Sequence, residues 1–262
     1  AELACFIVAM SITHTFLDSI PSIYLGAPDS SQVLGVLPGH RYLLKGHGHK
    51  AVLLTLIGSF YALVLGLLLL PVAIFMVPRI YGFLEGFLAW ILSGIVLWNL
   101  LEEKKKSWAV IVFLLSGSLG YLVLNSGMEN GLFPMLSGLF GVSTLLYSLF
   151  QKTSLPKQIV AKKISVRRGH GVKAVMSSTL AGGMTAFLPG IGASQGAIIA
   201  MKLARDIGDQ GFLILVGGVN TVNFLLSLAT FYTLNKARNG AVIAIQEMLE
   251  LFSLEMLIEL AL

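Results

Sequence analysis

Two ionisable residues lie in an apolar stretch near the amino terminus of the sequence. His14 and Asp18 are four positions apart, so they share one face if the stretch is helical. An ionisable group at membrane depth is costly and usually faces a cavity or a partner. A histidine beside a carboxylate can also exchange protons in the physiological range. The spacing therefore indicates either a relay for protons or sodium ions or a buried structural pair, and it leaves both open.

The sequence after this pair cannot continue as a regular helix. Pro21, Gly26 and Pro28 fall within eight residues, and proline removes a backbone donor wherever it enters a helix. Three polar residues follow them: Asp29, Ser30 and Ser31. An aspartate in this context is typical of a helix N-cap, with ligand contact as its second possible role.

A second broken stretch of the same kind lies near the other end. It contains Pro189, Gly190 and Gly192, followed by Ser194 and Gln195. In hydrocarbon, irregular backbone survives only where protein or a watery cavity surrounds it. Broken helices then expose half-helix ends that attract anions and cations. The two stretches together predict a binding site, and the alternative is two kinks that only shape packing.

A polar group also interrupts the apolar run at residues 211–234. Asn220, Thr221 and Asn223 lie in its middle, close to Gly217 and Gly218. Amides at this depth either join helices by hydrogen bonds or line a substrate path. We assign Asn220 to the candidate substrate site and expect the glycines to allow close packing.

The composition excludes a soluble protein. Of the 262 residues 56% are hydrophobic and 12% are charged, with a mean hydropathy of +0.84, whereas soluble domains have about 25% charged residues. The net charge of +5 comes from short loops between apolar runs, which is the pattern of membrane topology and not of a nucleic-acid-binding face. We therefore expect a multi-pass protein of the cell membrane with lipid as its surroundings and no nucleic-acid partner.

Enzymatic and metal-dependent classes find little support in the motifs. Cys5 is the only cysteine, and His47 and His49 give too few ligands for a metal site. The HExxH motif of metalloproteases is absent. The run 192–196 only loosely resembles the serine-protease motif GxSxG, and no histidine follows His170. The sequence predicts no enzyme, no cofactor and no metal.

The apolar runs predict an all-α integral membrane protein of about seven or eight membrane segments, two of them broken or re-entrant. We expect a first bundle at 1–150 with the broken stretch 14–38, a basic cytoplasmic loop at 151–173, and a second bundle at 174–262 with the broken stretch 187–196. The expected segments are 3–17, 51–77, 80–101, 108–125, 132–150, 174–201, 211–234 and 241–262.

Basic loops set the expected orientation. Residues 39–50, 102–106 and 151–173 then lie in the cytoplasm, and 202–209 lies outside if 174–201 crosses once. A hairpin at 187–196 would invert everything after it. A kink or early exit is expected at Pro71 and a turn at Pro78-Arg79. The segment 241–262 either spans the membrane or lies in its interface.

Several short motifs are spread over most of the chain: Asp18-Ser19-Ile20-Pro21, Gly26-Ala27-Pro28-Asp29, Leu37-Pro38-Gly39, Lys45-Gly46, Gly58-Ser59, Gly138-Leu139-Phe140-Gly141 and Leu188-Pro189-Gly190-Ile191-Gly192-Ala193. Together they resemble one transporter family, the large membrane subunit of tripartite tricarboxylate transporters, and most closely its archaeal branch. Asp18 stands where the family pattern has a small or Asn-like residue. Family members are longer, so a shortened chain or a fragment is expected.

The resemblance implies a permease that moves a small organic anion of the carboxylate class. It further implies a coupling cation, sodium or proton, together with an extracytoplasmic binding protein and a small membrane subunit. Pro21, Gly26, Pro28, Ser30 and Ser31 would form one half-site. The other half-site would comprise Pro189, Gly190, Gly192, Ser194 and Gln195. The alternative is a non-transporting membrane protein, either a lipid-handling module or an assembly subunit.

Overall fold

The structure is a computed structural model that describes residues 2–24, 33–128, 135, 137–142, 146, 156–161, 163–188, 192–237 and 239–248. All regular secondary structure in these residues is helical, which confirms the all-α prediction. Four helices in the described part of the chain are long and apolar enough to cross a membrane: Leu3–Tyr24, Gly48–Phe87, Lys106–Leu124 and Gly208–Leu234. The larger number of seven or eight segments stays a prediction.

The chain divides into two compact units. Unit 1 comprises Ala1–Gly82 and Thr153–Leu262, and unit 2 comprises Phe83–Lys152. In unit 1, helices from before and after the loop 151–173 pack against each other. The two bundles expected from the sequence, 1–150 and 174–262, stay a prediction.

Unit 1 is built around one helix, Gly208–Leu234 (α9), which lies at its centre. In order, the helices of this unit are α1 (Glu2–Leu17), α2 (Ser19–Tyr24), α3 (Val33–Leu44), α4 (Gly48–Leu84, which ends at the start of unit 2), α7 (Arg168–Phe187), α8 (Ala193–Ala204), α9 (Gly208–Leu234) and α10 (Gly240–Met248). In the most apolar stretch of α9, 89% of the residues are buried. Helix α10 packs Val242 and Ile245 against Ala4 and Val8 of α1. The outer part of the segment predicted at 241–262 lies outside the described residues.

Glycines allow neighbouring helices to approach α9 closely. A Cβ atom added to Gly182 of α7 would lie 2.8 Å from the backbone oxygen of Val219, and one added to Gly66 of α4 would lie 2.9 Å from Leu225 Cδ2. A Cβ at Gly58 of α4 would overlap the backbone carbonyl of Ile214. Small residues at helix contacts are typical of membrane proteins, because packing replaces the hydrophobic effect as the driving force.

Helix α4 continues through both of its prolines. The helix runs 37 residues and contains Pro71 and Pro78, so it neither ends early at Pro71 nor turns at Pro78-Arg79. The kink at Pro71, which was the other expectation, stays a prediction. Arg79 instead donates from Nη1 to the backbone oxygen of Phe75 at 2.7 Å. Prolines are tolerated within membrane helices because neighbouring helices, Ser or Thr side chains and small local adjustments satisfy the backbone groups that they free.

The interruption predicted near residue 20 begins at Asp18. This residue is a turn between α1 and α2, and Pro21 lies inside α2. Because Pro21 has no N–H, the backbone oxygen of Leu17 receives no helical bond from it. Ser22 donates from its hydroxyl to the backbone oxygen of Asp18 at 3.0 Å. Side-chain bonding thus replaces part of the helical pattern here.

Helices α7 and α8 form an antiparallel hairpin. Gly196 of α8 lies against Thr185 of α7. After α8, the Asp209 carboxylate lies 3.3 Å from the Arg41 guanidinium at the end of α3. Arg41 and Asp209 therefore lie at the same end of unit 1, which fits the hairpin at 187–196 that the sequence leaves open beside a single crossing.

Two further contacts show which residues lie at each end of unit 1. Lys236, beyond the end of α9, donates from Nζ to the hydroxyl of Tyr81 at 2.9 Å, near the far end of α4. At the other end, Ile159 donates its N–H to the backbone oxygen of Gly46 at 2.8 Å. Gly46, in the basic loop 39–50, and Ile159, in the basic loop 151–173, thus lie at the same end of unit 1.

Unit 2 contains two described α-helices with many exposed apolar side chains. A 3-10 turn (Glu85–Phe87) leads into α5 (Leu88–Glu102), and α6 follows (Lys106–Leu124). No residue of α6 is buried. A short π-helical turn, Ser137–Val142, lies further along the chain. The charged turn expected at 102–106 separates α5 from α6.

Candidate functional site

The candidate site centres on Asp18, where α1 gives way to α2. The residue is 7% exposed. Asn220 of α9 donates from Nδ2 to its Oδ2 at 2.6 Å, and His14 Nδ1 lies 2.8 Å from its Oδ1. The His14 side chain is 70% exposed, so the pair extends from the surface of unit 1 to its interior. The hydrogen bond from Asn220 to this carboxylate is charge-assisted, and it joins the turn after α1 to the middle of α9.

Hydroxyl groups lie on both sides of this carboxylate in the sequence. The hydroxyls of Thr15 and Thr221 are 3.1 Å apart, and those of Ser19 and Thr55 are 2.7 Å apart. All four side chains are buried. The Ser59 hydroxyl, one turn along α4 from Thr55, is buried and has no hydrogen-bond partner in the described part of the structure. Oxygen-rich surroundings of this kind suit a hard cation.

The second broken stretch is described from Gly192 onwards. Its Gln195 Oε1 accepts the N–H of Gly192 at 3.1 Å and the hydroxyl of Ser194 at 3.1 Å. These three predicted residues therefore form a local cap at the start of α8. Such a cap leaves the positive end of the helix dipole directed at the preceding turn.

The flanks of the two broken stretches meet neighbouring residues of α9. Asp18 bonds to Asn220, while a Cβ atom added to Gly196 would lie 3.0 Å from Val219 Cγ1. Asn223, one turn further, donates to the hydroxyl of Thr185 in α7 at 2.7 Å. The middle of α9 thus joins the interruption after α1 to the α7–α8 hairpin.

The structure places only part of the predicted site. His14, Asp18 and Asn220 come together, whereas Pro21 lies on the exposed side of α2 and has no place in this cluster. The predicted residues that lie outside the described part of the chain are Gly26, Pro28, Asp29, Ser30, Ser31, Pro189 and Gly190.

The sequence does not predict that several buried hydroxyls belong to this site. Thr15, Ser19, Thr55 and Thr185 all contact other helices at the level of this cluster. The available signal was a hydroxyl inside an apolar run, which is common in membrane helices and specifies no partner. In the described residues no group of three or more His, Cys, Asp or Glu could hold a metal ion.

Comparison with known proteins identifies the family. The model of the tripartite tricarboxylate transporter TctA family matches residues 1–260. An uncharacterised protein of Methanocaldococcus jannaschii, MJ1079, is 28% identical over 247 residues, which cover 92% of this chain and 61% of that protein. The chain therefore spans about three fifths of the length of this relative. No solved structure matches the chain. With its apolar helices, the chain is a multi-pass membrane protein and belongs to the tripartite tricarboxylate transporter TctA family.

Proposed function

We propose that the chain forms part of a secondary-transporter permease that moves a small organic anion of the carboxylate class across the cell membrane, coupled to a cation. The family match supports the class of transporter and gives no support to a non-transporting alternative. An extracytoplasmic binding protein and a small membrane subunit are the proposed partners, because the family description is of a tripartite system. No catalytic step is part of the proposal.

The observation that carries the proposal is the buried Asp18 carboxylate at a helix interruption, bonded to Asn220 in the middle of α9. Burying a carboxylate within the hydrocarbon layer is expensive, so an intramembrane acid with identified polar partners usually belongs to an ion path. We assign the coupling cation to this carboxylate. His14 lies on its exposed side and would pass protons or admit the ion.

The surrounding hydroxyls define the ligands that a sodium ion would use. Thr15 lies on α1 and Ser19 on α2, and Thr55 and Ser59 lie on α4. Oxygen ligands from hydroxyls, a carboxylate and released backbone carbonyls suit hard cations. If the cation is a proton, Asp18 alone carries it and these hydroxyls hold the carboxylate in place.

We assign the anion to the turn between α7 and α8 and to the segment after α2. The hairpin at 168–204 is proposed to be re-entrant, which fits the position of Asp209 beside Arg41. The start of α8 then directs its N–H groups at the substrate carboxylate from within the membrane. Gly26, Pro28, Asp29, Ser30 and Ser31 form the proposed half-site opposite Pro189, Gly190, Gly192, Ser194 and Gln195. Pro21 lies inside α2, shortly before this segment, and its place in the half-site stays a prediction.

The test is uptake of labelled mono-, di- and tricarboxylates by proteoliposomes containing the purified protein and its partner subunits. Asp18→Asn removes the charge and keeps the size, and we expect it to abolish uptake driven by a sodium or proton gradient. The matched control is Asp209→Asn, which makes the same change at the exposed Arg41 pair. Equal uptake in Asp18→Asn and the unmodified protein would remove Asp18 from the ion path.

The anion site is tested separately by Gly190→Leu, with Gly117→Leu as the control. A Cβ at Gly117 meets no atom within 4 Å, so a side chain there is accommodated. We expect Gly190→Leu to lose substrate-dependent thermal stabilisation as well as uptake. Retention of both would exclude the α7–α8 turn from the substrate site.

A further inference from the structure

A groove of about 700 Å³ lies between α4 and α7 in unit 1. Ligand sites in proteins have volumes of about 300–1,000 Å³, so the space is large enough for a ligand. Its wall is apolar, with Tyr61 and Leu68 on α4 and Val172 and Met176 on α7, and buried Ile214 of α9 also lines it. The groove lies apart from Asp18 and from the α7–α8 turn, so the proposed transport site does not account for it.

The two charged residues lining the groove are both arginines. Arg167 immediately precedes α7 and Arg168 is its first residue, and both line the groove. Neither arginine forms an ion pair with an acid in the described part of the chain, since the pairs found there are His14–Asp18 and Arg41–Asp209. Both arginine residues are exposed, so an anion in the groove can reach them.

The position of these arginines along the helices indicates a membrane surface. The segment that leads into α7 contacts Gly46 and His49 next to the start of α4, and residues 151–173 contain Lys or Arg at seven positions and no acid. Basic segments of this kind lie at the cytoplasmic surface. The apolar wall then extends from that surface towards the membrane interior along α4 and α7.

We propose that the groove binds one anionic phospholipid. Its phosphate pairs with Arg167 and Arg168, and one acyl chain lies against Tyr61, Leu68, Val172 and Met176. Basic pockets between membrane helices on the cytoplasmic side are the known type of site for anionic headgroups. The exposed apolar side chains, Leu68 at 71% and Val172 at 59%, match an acyl chain and would not suit a free polar anion. The lipid would hold the α7–α8 hairpin against α4.

The test measures the thermal unfolding midpoint of the purified protein in detergent with added phosphatidylglycerol, phosphatidylcholine or inorganic phosphate. We expect phosphatidylglycerol to raise the midpoint and to bind more tightly than phosphatidylcholine, with no effect of phosphate. Each arginine near a membrane surface changes the affinity about fivefold. The double variant Arg167→Gln/Arg168→Gln should therefore bind phosphatidylglycerol about 30-fold more weakly, whereas Lys104→Gln/Lys105→Gln should be unchanged.

The apolar half of the site is tested by filling it. Val172→Trp should abolish the effect of phosphatidylglycerol, while Leu203→Trp, at a similarly exposed position on α8, should keep it. Equal effects of the two lipids on the unmodified protein, or stabilisation by phosphate alone, would overturn the proposal. A disulfide between two copies carrying Val172→Cys would also overturn it, since a second copy would then cover the groove.

Discussion

Asn220 donates a 2.6 Å hydrogen bond to the Asp18 carboxylate across 202 residues of sequence. The bond ties the turn between α1 and α2 to the middle of the most buried helix in unit 1. Both side chains are less than a tenth exposed. Because the acceptor is a carboxylate, loss of its donor leaves a charged group with less compensation in a low-dielectric setting. The arrangement at Asp18 therefore depends on α9.

We expect Asn220→Ala to lower the free energy of unfolding by about 1.5–3 kcal/mol, the range for hydrogen bonds to charged groups. The matched control is Asn223→Ala on the same helix, which removes a neutral bond to Thr185. Hydrogen bonds between neutral side chains in membrane proteins average about 0.6 kcal/mol. Denaturant unfolding of both variants in detergent, followed by circular dichroism, measures the difference. Equal losses in the two variants would contradict a charge-assisted bond at Asp18.

The contact between α4 and α9 provides a second prediction. A Cβ at Gly58 would overlap the Ile214 carbonyl, which is backbone and cannot rotate away. Gly58→Ala should therefore destabilise the protein by about 1–3 kcal/mol, the usual cost of overpacking. The control Gly117→Ala meets open space, and the higher helix propensity of alanine should leave it unchanged or about 1 kcal/mol more stable. Thermal unfolding in detergent compares them, and a neutral Gly58→Ala would mean that α4 can shift away from α9.

Composition and periodicity are sufficient to predict the helical membrane class, because apolar runs long enough to span a bilayer predict membrane helices. They also located the polar positions Asp18 and Asn220. They could not pair them, since a hydrogen bond between positions so far apart in sequence is set by how α1 and α9 pack. The partners of Ser19 and Thr15 were missed for the same reason.

Proline rules failed where the environment changed the cost of a lost hydrogen bond. Pro71 predicts a kink or an early exit and Pro78-Arg79 predicts a turn, yet α4 continues as a helix through both prolines, because a membrane helix has no water to replace its remaining hydrogen bonds. The topology count depended on one choice that the sequence leaves open, a single crossing or a hairpin at 187–196. The contact between Asp209 and Arg41 fits the hairpin, and a hairpin would reverse every later assignment.

The hydroxyl pair of Ser19 and Thr55 separates cation binding from stability. Each side chain contributes one buried hydroxyl, 2.7 Å from the other. Because such bonds contribute about 0.6 kcal/mol on average, Thr55→Val should lower stability little. If sodium is the coupling ion, its apparent affinity in uptake should fall markedly in Thr55→Val. Thr233→Val, which alters a hydroxyl bonded within α9, should leave the sodium dependence as it is. Identical sodium curves for Thr55→Val and the unmodified protein would exclude Thr55 as a ligand.

The reversal between α7 and α8 predicts which residues share a side of the membrane. Single cysteines are introduced at Lys45, Asp206 and Asn235 in a Cys5→Ser background, all three at exposed positions outside the long helices. Because Asp209 contacts Arg41 while Lys236 contacts Tyr81, a membrane-impermeant maleimide added to one side should label positions 45 and 206 together. Position 235 should react only from the other side, since α9 crosses between them. Labelling of position 206 from the same side as 235 would mean that the chain crosses between α7 and α8, and the proposed re-entrant site would then be lost.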